Sequence, residues 1–134
     1  MLYALDTNTC VDLLRNNQPE MSDKLKNAKP SDFVLPSLVF AELLFGASLS
    51  KRPDENREKI NLFVTPFRLI DFNRTAATIY AEIRKGLQKN GNLIGPNDLI
   101  IAATAIAHGA TLVTSNTKEF RRVPKLKIEN WRAR

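Results

Sequence analysis

From Leu99 to Ala107 the chain carries no charged side chain. A surface helix keeps one polar face, so a stretch of this kind must be covered on more than one side. It falls well short of the ~20 apolar residues that cross a bilayer, and no other run in the chain approaches that length. The stretch therefore reads as the central helix of a folded core, ended by Gly109. With 134 residues, 43% hydrophobic and 25% charged, the chain is too apolar for intrinsic disorder. It has the size of one domain spanning residues 1–134, which buries roughly two-thirds of its unfolded surface.

The remaining segments supply the layers around that helix. Leu2-Tyr3-Ala4-Leu5 is a short apolar run ending at Asp6, and Thr7 is placed to cap a helix that runs through Leu13, Leu14 and Arg15 and stops at Asn16-Asn17. Residues 19–29 carry Met21, Leu25 and Ala28 at helical spacing, and Phe33-Val34-Leu35 before Pro36 reads as a second strand. Ser37 then caps a helix over residues 38–49. The mixed-charge stretch 51–59 runs into Ile60, Leu62 and Phe63, a surface helix with one buried edge. Residues 67–70 form a third strand, and Asn73 caps a long helix with Ala76, Ile79, Tyr80, Ile83 and Leu87 on one face, ended by Asn90-Gly91. Strands over 111–114 and 126–128 follow. Short strands alternating with helices define an α/β domain with a mainly parallel sheet, and the chain shows no repeat, linker or low-complexity segment.

The N-terminus lacks the basic start and apolar core of a secretory signal, which leads to a cytoplasmic expectation with no membrane association. The single cysteine, Cys10, excludes an internal disulfide, lacks zinc-ligand neighbours and reads as a small buried apolar residue. Net charge is +6, but its placement is more informative. Arg121, Arg122, Lys125, Lys127, Arg132 and Arg134 face only Glu129 in the last fourteen residues, and the rest of the chain is nearly neutral. A basic edge on a neutral body suits a polyanion such as nucleic acid, and serves solubility equally well.

Three acids stand apart from the other charges. Asp6 ends the first strand, where ligands bind in parallel α/β sheets, although alone it is explained as a helix cap. Glu42 has Leu38, Val39, Phe45 and Gly46 as its one-turn neighbours, and Asp98 has Ile94, Gly95, Ile101 and Ala102. Neither has a local cationic partner. Each could meet an arginine from elsewhere or a helix end; a divalent cation shared by all three accounts for them together. Without such a cation they would repel one another and their pKa values would rise.

Leu5-Asp6-Thr7-Asn8, Ala41-Glu42-Leu43 with Gly46, Ile94-Gly95-Pro96-Asn97-Asp98 leading into Leu99-Ile100-Ile101-Ala102-Ala103, and Leu112-Val113-Thr114-Ser115-Asn116 with Glu119-Phe120 follow in order along nearly the whole chain. Together they resemble the successive motifs of PIN-domain ribonucleases, specifically the VapC toxins of toxin–antitoxin pairs. The resemblance implies a PIN-like fold, a mainly parallel sheet flanked by helices. It implies Mg²⁺ or Mn²⁺ held by Asp6, Glu42 and Asp98, and endonucleolytic RNA cleavage by water that leaves a 5′-phosphate and a 3′-hydroxyl. Further implications are a homodimer, a small antitoxin, and contact with DNA only indirectly through the antitoxin complex. Some members cut tRNA. Related toxins carry an aspartate or asparagine two residues after the strand-ending threonine and often an acid before a phenylalanine, the places of Asn116 and Glu119 here. On the same reading Arg121, Arg122, Lys125 and Lys127 hold RNA backbone.

Two other classes fit parts of the pattern. A phosphoacceptor signalling domain would use Asp71 after the third strand, but the adjacent acidic pair it needs after the first strand is missing, and Asp71 with Asn73 is explained as a helix start. A non-catalytic nucleic-acid binder accounts for the basic C-terminus and leaves Glu42 and Asp98 unexplained, because acids beside a polyanion weaken binding. His108, the only histidine, sits beside Gly109 and reads as a helix-terminal residue, not an acid–base catalyst.

Overall fold

The computed structural model describes residues 1–132, so Arg134 lies outside the described residues. The elements run β1 (Tyr3–Leu5), α1 (Thr7–Arg15), α2 (Pro19–Asn27), a 3₁₀ turn (Pro30–Asp32), β2 (Phe33–Pro36), α3 (Ser37–Ser48), α4 (Pro53–Val64), β3 (Arg68–Ile70), α5 (Arg74–Lys89), α6 (Pro96–Ala107), β4 (Thr111–Val113), α7 (Thr117–Phe120) and β5 (Ile128–Glu129). The sheet is parallel throughout, in the order β3-β2-β1-β4-β5. The chain builds outward from β1 to β2 and β3 and then returns to place β4 on the other flank of β1. The order therefore reverses between β1 and β4, and the crevice beyond their carboxyl ends is the ligand position of such sheets.

Helices cover both faces, which is why the strands read as unbroken apolar runs. Ala4, Leu5, Leu35 and Leu112 are fully buried, as are Ala102, Ala103 and Ala105 on α6. Those small side chains let α6 lie close to its neighbours, with α5 packed along it. At the amino ends of the strands Trp131 packs edge-on against Tyr3 and Phe33, and Phe33 also meets Phe67. This aromatic cluster secures the C-terminal segment at the end of the sheet opposite the β1–β4 crevice.

Several boundaries differ from the sequence reading for local reasons. The cap of α1 is Asp6, whose Oδ1 accepts the Thr9 N–H at 2.9 Å, and Thr7 is already helical. Ser37 is likewise inside α3, with Pro36 before it and no side-chain cap. Helix α6 begins at Pro96, ahead of the uncharged stretch, and so carries Asp98 in its first turn. Strand β5 overlaps the expected 126–128 at Ile128 and is shifted toward the C-terminus, after Lys125 takes a left-handed backbone at φ 68°. The capping of α5 by Asn73 and the left-handed Gly91 and Gly109 after α5 and α6 are as the sequence indicates.

Candidate active site

The strand-end crevice receives acids from four elements. Asp6 stands where β1 passes into α1 and is only 5% exposed. Its position is rigid, since the backbone N–H of Asp6 bonds Val113 O at 3.2 Å and its carboxylate caps α1. Burial raises its pKa, donors from Thr114 and Thr9 pull it back, and the charge of Asp12 raises it further.

Asp98, on the first turn of α6, has its pKa lifted from 3.8 to about 6. Burial is the largest cause, followed by the charges of Glu119, Asp6 and Glu42. Three carboxylates from distant parts of the sequence thus bear on one side chain. None of the ion pairs among the described residues (Arg52–Glu55, Arg57–Asp54, Lys59–Glu55, Arg132–Asp12) includes any of these four acids.

Glu42 projects from the middle of α3. Thr7 Oγ1 donates to its Oε1 at 2.6 Å, and Asn97 Nδ2 donates to its Oε2 at 3.3 Å. Glu119, on α7, accepts from Asn116 Nδ2 at 3.2 Å, while the Asn116 backbone N–H donates to Thr114 Oγ1 at 2.9 Å. Asp6, Glu42, Asp98, Asn116 and Glu119 are therefore gathered around one crevice. Among the described residues no three acid, His or Cys side chains are already drawn together as an ion cage. The donor set is nevertheless suited to a hard cation. It consists of carboxylate oxygens that pair with no cationic side chain among the described residues, and their mutual repulsion contributes to the raised pKa of Asp98.

The basic residues are arranged differently. Arg121, Arg122, Lys125 and Lys127 are all exposed. Arg122 reaches Leu93 O at 3.5 Å, beside the loop into α6, whereas Lys125 borders a cleft with Ile79, Ile83 and Ile106 on the α5–α6 side. No ion pair among the described residues joins them to the four acids. His108 follows α6 at its far end, about 15 Å from Asp98 along the axis, and its Nε2 meets Asp71 O at 3.1 Å. Asp71 follows β3, the edge strand two places from β1, so the phosphoacceptor position lies away from the crevice.

Sequence reading gave no role at the site to Thr7, Thr9, Asn97 and Thr114, the polar groups that contact the site residues. Two of them had a visible signal, as Thr7 and Asn97 are the chain neighbours of Asp6 and Asp98.

Residues 3–126 match the PIN domain family model, and the chain belongs to the PIN-domain family. Within it the chain is similar to Ribonuclease VapC2 of Rickettsia felis, with 42% identity over 98% of each chain. It also resembles the tRNA(fMet)-specific endonuclease VapC of Salmonella typhimurium, with 34% identity over 96% of this chain and 97% of the relative. In three dimensions it matches the crystal structure of VapBC2 from Rickettsia felis bound to a promoter DNA fragment, with TM-score 0.89 and 41% identity over 98% of this chain and 99% of the other.

The raised Asp98 has a thermodynamic consequence. Its proton is held more tightly in the folded chain, near pH 6, than in the unfolded one, near 3.8. Stability therefore falls as pH rises through that interval, and the penalty persists above it. In chelator, Asp98→Asn is predicted to be the more stable protein at pH 7.5 by on the order of 1 kcal/mol, discounted for the half-exposed side chain. The difference should vanish near pH 3.5. Urea unfolding at the two pH values measures it, and a variant less stable at pH 7.5 contradicts the repulsion.

Proposed function

We propose that the chain is a metal-dependent endoribonuclease and the toxin of a toxin–antitoxin pair. The observation that carries this reading is the influence of Glu119, Asp6 and Glu42 on Asp98 in a crevice where no cationic side chain among the described residues pairs with any of them. Likeness to a ribonuclease at 42% identity across the chain supports the substrate class.

In this reading Asp6, Glu42 and Asp98 hold Mg²⁺ or Mn²⁺. When bound, the cation supplies Lewis acidity toward a phosphoryl oxygen and lowers the pKa of a water molecule. Asp6 is the fixed reference point, locked by β4 and the start of α1. Asp98 is ionised at neutral pH, so its charge is available above about pH 6. Asn116 offers a neutral oxygen and an N–H that can position water or phosphate, and Glu119 adds the fourth negative charge. Arg121, Arg122, Lys125 and Lys127 attract the RNA backbone from beyond the crevice. Transfer RNA is the first substrate to test, given the Salmonella relative's name.

The partner surface begins at the same acids. A groove of about 390 Å³ runs from Thr7 and Glu42 over Val11, Leu14, Leu43, Ala47 and Ile60, between α1, α3 and α4. An antitoxin segment with apolar side chains would bury this floor and end against Glu42, closing the site to substrate. DNA contact belongs to that complex, as in the DNA-bound VapBC2 assembly. Phe45 and Leu49 on and after α3 are 65% and 72% exposed and offer an apolar patch to a second copy in a homodimer. No helix among the described residues is long and apolar enough to cross a membrane; residence in the cytoplasm is part of the proposal.

Asp6→Asn and Asp98→Asn are each predicted to lower RNA cleavage by at least about a thousandfold, the scale of losing a group that stabilises transition-state charge. Chelator should silence the wild type, and Mg²⁺ or Mn²⁺ should restore it. Gel analysis of a labelled tRNA checks this, and near-wild-type cleavage by either purified variant would remove the acids from the mechanism.

Asn116 and Glu119 separate by kinetic signature. If Glu119 supplies charge to the cation, Glu119→Gln raises the Mg²⁺ needed for half-maximal cleavage and leaves the saturated rate near normal. Asn116→Ala lowers the saturated rate itself, because it removes a positioning group. Metal titrations of cleavage rate distinguish the two, and an unchanged metal dependence in Glu119→Gln would reduce the site to three carboxylates.

A further inference from the structure

We propose that Asn97 is a positioning residue which, together with Thr7, holds Glu42 in its place at the acidic crevice without neutralising it. This deepens the proposed function and rests on its reading of Glu42 as a cation-holding carboxylate.

Glu42 differs from Asp6 and Asp98 in how it reaches the crevice. Those two leave the starts of α1 and α6 on short side chains, and the Asp6 carboxylate is further fixed by the backbone N–H of Thr9. Glu42 leaves the middle of α3 on a longer side chain with more torsions, is only half-buried, and pairs with no cationic side chain among the described residues. Left alone, such a side chain samples several rotamers and loses that freedom when it binds. Two donors restrict it instead. Thr7 Oγ1 lies 2.6 Å from Oε1 and Asn97 Nδ2 lies 3.3 Å from Oε2. Thr7 directly follows Asp6, and Asn97 directly precedes Asp98. The carboxylate is thereby tied to both helix starts that carry its partners, and each of its oxygens keeps a lone pair free for a ligand.

The chemistry of the donors fits this role. A lysine or arginine in place of Asn97 would also anchor Glu42, but its charge would compete with a cation for the carboxylate. An amide and a hydroxyl orient the group and leave its full negative charge. The bland role for Asn97, building the start of α6, has little support. The cap position is Gly95 and no side-chain cap is made there, and the hydrogen bond found for the Asn97 amide crosses 55 residues of sequence to Glu42. The amide can present either end, and a carboxylate opposite requires the N–H₂.

The test is a double-mutant cycle read by Mn²⁺ binding to the RNA-free, antitoxin-free full chain, with free Mn²⁺ followed by electron paramagnetic resonance. Asn97→Ala is expected to weaken Mn²⁺ binding by about three- to tenfold, the net range of one ordinary hydrogen bond, fitting a solvent-exposed contact at 3.3 Å. In the Glu42→Gln background the same change should cost nothing further, since its route of action is gone. The urea midpoint of Asn97→Ala should match wild type because the residue is exposed. Its RNA cleavage should recover at saturating Mn²⁺ with an unchanged KM for RNA. An equal loss in both backgrounds, or no loss in either, with the wild type binding Mn²⁺ normally, overturns the inference alone. Failure of the wild type to bind Mn²⁺ overturns it together with the function on which it rests.

Discussion

Carboxylates that lack cationic partners repel one another, and a fold that gathers four of them at one crevice must hold them there against that repulsion. Asp98 registers the strain most directly, with its pKa raised to about 6 by burial and by Glu119, Asp6 and Glu42. Much of the surrounding structure opposes it. Asp6 is fixed by a backbone bond to β4 and by the helix it caps, Glu42 by Thr7 and Asn97, and Glu119 by Asn116. The groups that hold the Asp6, Glu42 and Glu119 carboxylates, the Thr9 N–H, the Thr7 hydroxyl and the Asn97 and Asn116 amides, are all neutral donors. Orientation is fixed while the collective charge is left intact, which is what a site for a hard cation requires.

The stability that tolerates this arrangement comes from elsewhere. The parallel strands are buried on both faces, α6 presents alanines that allow close approach, and the aromatic cluster of Tyr3, Phe33, Phe67 and Trp131 closes the opposite end of the sheet. The apolar interior and the charged crevice are thus spatially separated, with β1 and β4 spanning from one to the other. Destabilising carboxylates at a functional crevice, supported by a well-packed body, is a general pattern of sites in which local rules are broken for chemistry.

Much of this was legible in the sequence. Strand-sized apolar runs and helical periodicity identified the α/β alternation, and the uncharged run 99–107 located the central helix. Glu42 and Asp98 stood out because their helical neighbours are apolar, a local property that sequence spacing displays. The convergence of the acids was not local. It depends on the strand order β3-β2-β1-β4-β5, which periodicity does not encode, and it entered the sequence reading only through family resemblance. Asn97 escaped notice for the same reason, since its partner lies 55 residues away. The cap of α1 was misassigned to Thr7 because adjacent Asp and Thr are both good caps, and only the backbone at Asp6 decides between them. The basic segment from Arg121 looked continuous in sequence, yet Arg122 reaches Leu93 O beside the loop into α6 while Lys125, at a left-handed backbone turn, borders the α5–α6 cleft.

The central claim is that these acids form one electrostatic unit completed by a divalent cation. Proton release on metal binding addresses it most directly, because a cation must displace the proton that repulsion and burial hold on Asp98. Calorimetric titration of Mg²⁺ or Mn²⁺ into the chain, repeated in buffers of different ionisation enthalpy, counts those protons. The account predicts release of about half a proton at pH 6, where Asp98 is half protonated, falling to almost none at pH 8. Binding that releases no proton at pH 6, or the same number at both pH values, would contradict it.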